Sequence, residues 1–385
     1  MKTLLVASPA DFDRAIQYLK GSQEIAIDLE FDNNRYTYGL NLCLIQIADR
    51  SHCFIIDPVA IRQLRPLWDI LENPQITKIF HCANSDILLL KMLGCQPRNI
   101  LDTEVAVKIL NYQKTSLAQA LLVNLGLDLD KSLQVSNWNT RPLTPEQLLY
   151  AAADVIYLHD LKDRLLVELQ QLQRLHWLEE ECRLLELIEN RDNPDPHMKL
   201  RETNRLTAYQ QFVLKALFSF RDELGRQFNK PSAFIIPNDT LVALAVKPVT
   251  NLDEWSSLKG FFRQIKDRHY FQRFQKTIQD ARQLADEQNI PHRLPPSFRR
   301  PQSSLSEAEV ERRRQIGTTL RKALLERYGE ITASLVLGQT AINEFCQGGS
   351  LFIRKNYALE IVRQLAEELN IDLATLPLES SVPAD

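Results

Sequence analysis

The sequence predicts an α/β domain, one mixed sheet covered by helices, followed by all-α helical domains. Three observations carry that reading. Short apolar runs of strand length crowd the first third of the chain, helical periodicity dominates from about residue 114, and two stretches rich in proline and small polar residues, 191–199 and 290–304, interrupt it. The chain has 385 residues, 44% hydrophobic and 25% charged, which is enough material for a sizeable core and for two or three domains.

Taken in order, MKTLLVASPADFDRAIQYLK carries one early lysine and a short apolar patch. Asp11 and Asp13 arrive before any signal-peptide core is complete. EIAIDLEF, LCLIQIA and SHCFIIDP read as strands, IRQLRPLWDILEN as a helix, ITKIFHC as another strand and SDILLLKMLG as a helix. TSLAQALLVNLGL and the long run from Thr144 to Asn190 are helical. Strands first, with helices interleaved and then dominant, predict a domain over 1–195. Beyond it no strand is expected. Two helical blocks, 205–285 and 306–375, resemble each other in size and order, which hints at a duplicated module.

No run of about 18 apolar residues occurs, so no membrane span is expected and the protein is read as cytoplasmic. The six cysteines (43, 53, 82, 95, 182 and 346) include no CxxC pair. They read as reduced, mostly buried thiols, with no zinc site. The formal net charge of -3 excludes a polybasic coat, but it is unevenly divided: residues 1–190 carry -7 and residues 191–385 carry +4.

In IAIDLEF, Asp28 and Glu30 are two apart on a strand and therefore share a face, while Ile27, Leu29 and Phe31 point the other way. HCANSDILLL places Asp86 in the first turn of a helix, and YAAADVIYL puts Tyr150 and Asp154 on one helical face. An alternating strand with a wet polar face, a helix-capping acid and a core-edge hydrogen bond would each explain one of these alone. Together they set four acids and a tyrosine in apolar segments, where carboxylates are costly unless compensated and repel one another when crowded. Divalent cations remove that difficulty, and an all-oxygen ligand set selects magnesium or manganese. Two such ions suit hydrolysis of a phosphodiester.

D-x-E in a strand, the Asp of HCANSD and Y-x3-D in a helix, in this order, resemble the DEDD superfamily of 3′-to-5′ exonucleases, tyrosine subgroup, and within it the ribonuclease D family. LNLCLIQIA and ILDTEVAVKIL match the family's flanking segments, and the likeness covers roughly residues 1–190. It implies a ribonuclease H-like mixed sheet. It further implies two divalent metal ions (Mg2+ or Mn2+): Asp28, Glu30 and Asp154 holding one, Asp28 bridging to the second, Asp86 binding the second directly or through water, and Tyr150 orienting the attacking water. FRDELGRQ, the P…IPND connection and LVALAVKPVT resemble an HRDC domain, and 306–375 is read as a second HRDC-like domain. The implied activity is a metal-dependent 3′-5′ exoribonuclease releasing nucleoside 5′-monophosphates. Its implied partner is RNA with single-stranded 3′ ends, precursor tRNA above all; no obligate protein partner is indicated.

Other residues carry open alternatives. Gln46 either touches the terminal nucleotide or bonds neighbouring backbone, and His81 either contacts substrate or makes a strand-end hydrogen bond. Asp102 and Thr103 read as turn or cap residues, Asp32 and Asp57 as loop or strand-end acids. Lys259, Arg263, Lys266, Arg268, Arg273, Lys276 and Arg282 alternate with Phe261, Phe262, Tyr270, Phe271 and Phe274, a pattern that suits either RNA contact or an ordinary amphipathic helix. Arg299, Arg300 and Arg312 to Arg314 are weaker candidates. Competing functions are a DNA 3′-5′ exonuclease, a catalytically silent nucleic-acid-binding scaffold and a glycosidase. The last leaves Asp86, Asp154 and the basic helical half unexplained.

Overall fold

The structure is a computed structural model and describes residues 1–130, 132–190, 193–294 and 305–372, with the backbone of 378–379. The first unit runs β1 (Lys2–Val6), α1 (Pro9–Lys20), β2 (Glu24–Asn33), β3 (Leu40–Ala48), β4 (His52–Ile56), α2 (Arg65–Leu71), β5 (Thr77–Phe80), α3 (Asn84–Met92) and β6 (Ile100–Asp102). Helices α4 (Thr103–Ile109), α5 (Leu117–Leu125), α6 (Pro145–Ile156), α7 (Leu158–Gln171) and α8 (Leu175–Glu186) follow. The sheet order is β1-β4-β3-β2-β5-β6. Both β2–β3 and β3–β4 pair antiparallel, and the remaining pairs are parallel, so the sheet is mixed as expected. In β2, Ile25, Ala26 and Ile27 are fully enclosed, which anchors the strand in the middle of the core just before Asp28 and Glu30.

Three local expectations differ. β1 reads as a mere apolar patch because it lies at the sheet edge and buries only Val6, leaving no alternation to detect. The long helical run after Thr144 is three helices, broken at Tyr157 and around Leu172–Arg174. A register shift between Glu30 and Phe31 breaks the alternation of β2. Such a bulge re-aims the next side chain.

The first helical block comprises α9 (Ala208–Phe228), α10 (Ser232–Ile235), α11 (Asn238–Val246), α12 (Leu252–Ser257) and α13 (Arg268–Glu287). It has a core of its own around Trp255, Leu214, Leu224 and Phe274. The second contains α14 (Glu307–Tyr328), α15 (Glu330–Val336), α16 (Gln339–Cys346), β7 (Leu351–Phe352), α17 (Asn356–Glu368) and β8 (Leu378–Glu379). β7 and β8 form a two-residue parallel pair, a correction to the expectation that no strand returns. This block has no separate core: Leu320, Phe345, Tyr357 and Val362 belong to the same continuous cluster as the sheet. Tyr357 stacks on Trp177 at 4.9 Å, Lys355 Nζ donates to Glu181 and to the Leu335 carbonyl, and Thr332 donates to the Lys108 carbonyl. Among the described residues no helix is long and apolar enough to cross a membrane.

Candidate active site

Asp28 and Glu30 project from β2, and Tyr150 and Asp154 from α6, which lies against β2, β3 and β4. α6 starts where Thr144 and Gln147 cap each other reciprocally, which fixes the phase that brings positions 150 and 154 to the sheet. One oxygen each from Asp28, Glu30 and Asp154 lies within 4.8 Å of the others. Asp86, in the first turn of α3 and 6% exposed, is close enough to Asp28 and Glu30 to act on both electrostatically but lies outside that group of three.

None of the four carboxylates has a Lys, Arg or His partner among the described residues. Burial pushes Asp28 up to about 7. Burial and then Asp28 raise Asp154 to about 8. Glu30, buried and facing Asp28, Asp154 and Asp86, rises to about 10. Asp86 lies well above the usual carboxylate range through burial, Asp28 and Asp102. The Tyr150 phenol is raised by burial and by Asp154, Glu30 and Asp28, so it stays protonated at neutral pH. Trp138 packs beside its ring at 6.0 Å. Four largely desolvated acids without a cationic partner among the described residues make a donor set that fits hard divalent ions.

Asp28, Glu30, Tyr150 and Asp154 open into a pocket of about 560 Å3 lined also by Phe31, His81, Cys82 and Leu117, whereas Asp86 is not among its lining residues. A larger cavity, about 820 Å3, lies between α8 and the second helical block, and none of the four acids lines it.

The other candidates separate. Gln46 pairs with Asp28 across the sheet, fully enclosed and with no partner for either amide atom, so the alternative of a side-chain bond to neighbouring backbone is corrected and the nucleotide alternative finds the side chain without exposed surface. His81 has both ring nitrogens engaged, with Thr103 Oγ1 at 2.9 Å and the Thr115 carbonyl at 2.8 Å, which is the strand-end hydrogen-bonding alternative. Asp102 accepts from the backbone of Cys82, Ala83 and Glu104, capping α4 and pinning the turn before α3. Asp57 binds Arg141 through two contacts, at 2.7 and 2.9 Å. Phe261, Phe271 and Phe274 are core residues of the first helical block, so base stacking is not open to them, whereas Lys259, Arg263, Arg268, Lys276 and Arg282 are exposed. Arg312 and Arg314 pair with glutamates on their own helix, and Arg313 also bonds the Phe345 and Gly349 carbonyls. Arg299 and Arg300 lie outside the described residues.

Asp32 is the strand-end, loop-holding acid that the sequence suggested, and it builds the site's rim. Its carboxylate accepts from the backbone of Arg35, Tyr36 and Thr37, and from Asn139 Nδ2 at 3.0 Å. The signal available was an Asp followed at once by Asn33 and Asn34 and closed by Gly39, a turn-forming composition.

A 3′-5′ exonuclease family model matches residues 5–170, and an HRDC domain model matches residues 210–278. A ribonuclease D of Bartonella henselae is 32% identical over 247 residues, 63% of this chain and 61% of that protein. A ribonuclease D of Shewanella sp. (strain ANA-3) is 32% identical over 291 residues, covering 74% of this chain and 73% of that protein. The crystal structure of Escherichia coli RNase D shares the fold with a TM-score of 0.70 at 24% identity, covering 96% of this chain and 99% of that one.

Proposed function

Since the chain belongs to the ribonuclease D family of 3′-5′ exoribonucleases, we propose that it removes nucleoside 5′-monophosphates one at a time from single-stranded RNA 3′ ends by two-metal hydrolysis, with precursor tRNA among its cytoplasmic substrates. The observation that carries the reading is the convergence of Asp28, Glu30 and Asp154 within 4.8 Å, all half-buried and without a cationic partner among the described residues. Asp28, Glu30 and Asp154 would hold one Mg2+ or Mn2+, with Asp28 and Asp86 toward the second. When bound, the pair supplies positive charge that offsets the crowded acids, makes water more acidic and stabilises the leaving oxygen.

The chain's own groups do the rest. Asp28 and Glu30, on a rigid strand, would hold the cation at a fixed place against which the scissile phosphate is oriented. Tyr150, four residues before Asp154 on α6, presents a phenol whose proton stays in place at neutral pH, because burial and three carboxylates raise its pKa. It therefore acts as a hydrogen-bonding positioner of the attacking water and not as a base.

The test is a time course on matched 3′-extended RNA and DNA strands with Mg2+ or Mn2+, with EDTA and Asp28→Asn as controls. Stepwise loss of mononucleotides from RNA, abolished by both controls, is the expected result. Faster shortening of DNA would turn the assignment to a DNA exonuclease, and folded protein that shortens neither strand would turn it to a binding scaffold.

A further inference from the structure

A cavity of about 260 Å3 adjoins the carboxylate pocket and shares Glu30, Phe31 and Gln134 with it. Arg35, Tyr36 and Trp138 line its far side. Strict alternation would send Phe31 to the face opposite Glu30; the register shift between them goes with its place beside Glu30 in both cavities. Arg35 is exposed, its guanidinium lies 5.5 Å from the centre of the Tyr36 ring, and it forms no ion pair among the described residues. Tyr36 is held in turn, its hydroxyl donating to the Val135 carbonyl at 2.8 Å and its backbone N–H to Asp32. The rim is thus preassembled on one buried carboxylate, Asp32, 4% exposed.

The opposite end of the carboxylate pocket continues into a cavity bordered by Asp128 and Asp130. A polyanionic strand leaving the site meets carboxylates in one direction. In the other it meets an unpaired guanidinium and aromatic faces, the combination that suits phosphate contact with base stacking. That second direction leads to the loop on which Tyr38 hydrogen-bonds Asp222 of the first helical block at 2.6 Å.

We infer that the Arg35 cavity takes the nucleotide on the 5′ side of the scissile phosphate, with Phe31 and Tyr36 against its base and Arg35 on its own 5′ phosphate. The inference rests on the exoribonuclease reading. In the reaction, water oxygen bonds to phosphorus, the P–O3′ bond to this nucleotide breaks, and its O3′ receives a proton. The nucleotide in the Arg35 cavity is therefore the leaving group, and it becomes the next 3′ end.

The test compares two substrates in wild type and Arg35→Ala: a single-stranded RNA trinucleotide, and the p-nitrophenyl ester of a nucleoside 5′-monophosphate, which keeps the terminal nucleotide but replaces its neighbour with a small leaving group. Arg35→Ala is expected to lower kcat/KM on the trinucleotide ~10-fold more than on the ester. Replacing the second phosphodiester from the 3′ end by a neutral methylphosphonate is expected to cost wild type a similar factor and the variant much less. Equal losses on trinucleotide and ester, or equal sensitivity of both proteins to the neutral linkage, would overturn the assignment of Arg35. Wild type that hydrolyses neither substrate would instead overturn the exoribonuclease reading.

Discussion

The two helical blocks that look alike in sequence are attached in opposite ways. The first closes its own core around Trp255 and meets the nuclease through polar contacts such as Tyr38–Asp222 and the Tyr38 N–H to Asn229 Oδ1. The second completes the nuclease core itself, stacking Tyr357 on Trp177 and laying Leu320, Phe345 and Val362 into the cluster that reaches the sheet. Similar helical order is thus compatible with a module that hangs on the enzyme and with one that is part of it. What separates them is where their apolar faces find partners.

The strongest way to break this contrast is to cut one aromatic from each core. Tyr357→Ala removes a side chain that is 2% exposed and should destabilise the nuclease by ~3–5 kcal/mol. Trp255→Ala should cost about as much but confine it to the first helical block. Calorimetry of the full chain should resolve two transitions, and a single transition shifted equally by both substitutions would refute the division.

Metal offers a second probe, because the four acids sit in only one of the two cores. Saturating Mg2+ at about 100-fold above its Kd should add ~2.7 kcal/mol to the nuclease transition and leave the other in place. The effect should grow with pH. The raised carboxyls at about 7 for Asp28, about 8 for Asp154 and about 10 for Glu30 hold protons in the folded protein that the unfolded chain releases near pH 4. Metal-free stability therefore falls as pH rises from about 4 through those values. A Tm increment that is larger at pH 6 than at pH 8 would contradict the assignment.

Smaller effects sharpen the same line. Lys355→Met leaves Glu181 buried with its cation gone, and ~1–3 kcal/mol should be lost from the nuclease transition, reduced by the partial exposure of the pair. Tyr38→Phe removes one hydrogen bond at the joint with the first helical block and should change either transition by less than about 1 kcal/mol. A shift larger than that from Tyr38→Phe would mean the first block is not merely hung on the nuclease.

Legibility in the sequence follows the range of the interactions. Asp28 with Glu30 and Tyr150 with Asp154 are readable because strand and helix periods place them together locally. Asp86 can be named as a companion from its position in a first turn, but its offset from the other three depends on how α3 meets the sheet. The bulge after Glu30 leaves no mark in the apolar pattern, so Phe31 is misdirected by alternation. Gln46 and His81 needed burial and partners to be decided, since the same residue at a strand end serves either structure or substrate. The attachment of the second block is illegible because Trp177 and Tyr357, or Lys108 and Thr332, find each other only across long stretches of chain.

That last contact has a meaning in time. Tyr357 of α17, stacked on Trp177, also donates its hydroxyl to Glu181, 176 residues earlier, so the ribosome releases α8 long before the helix that seals it. The nuclease core cannot close until that helix has been made. An enzyme that digests RNA is, by this topology, least complete at the moment when it is tethered to the cell's largest RNA assembly.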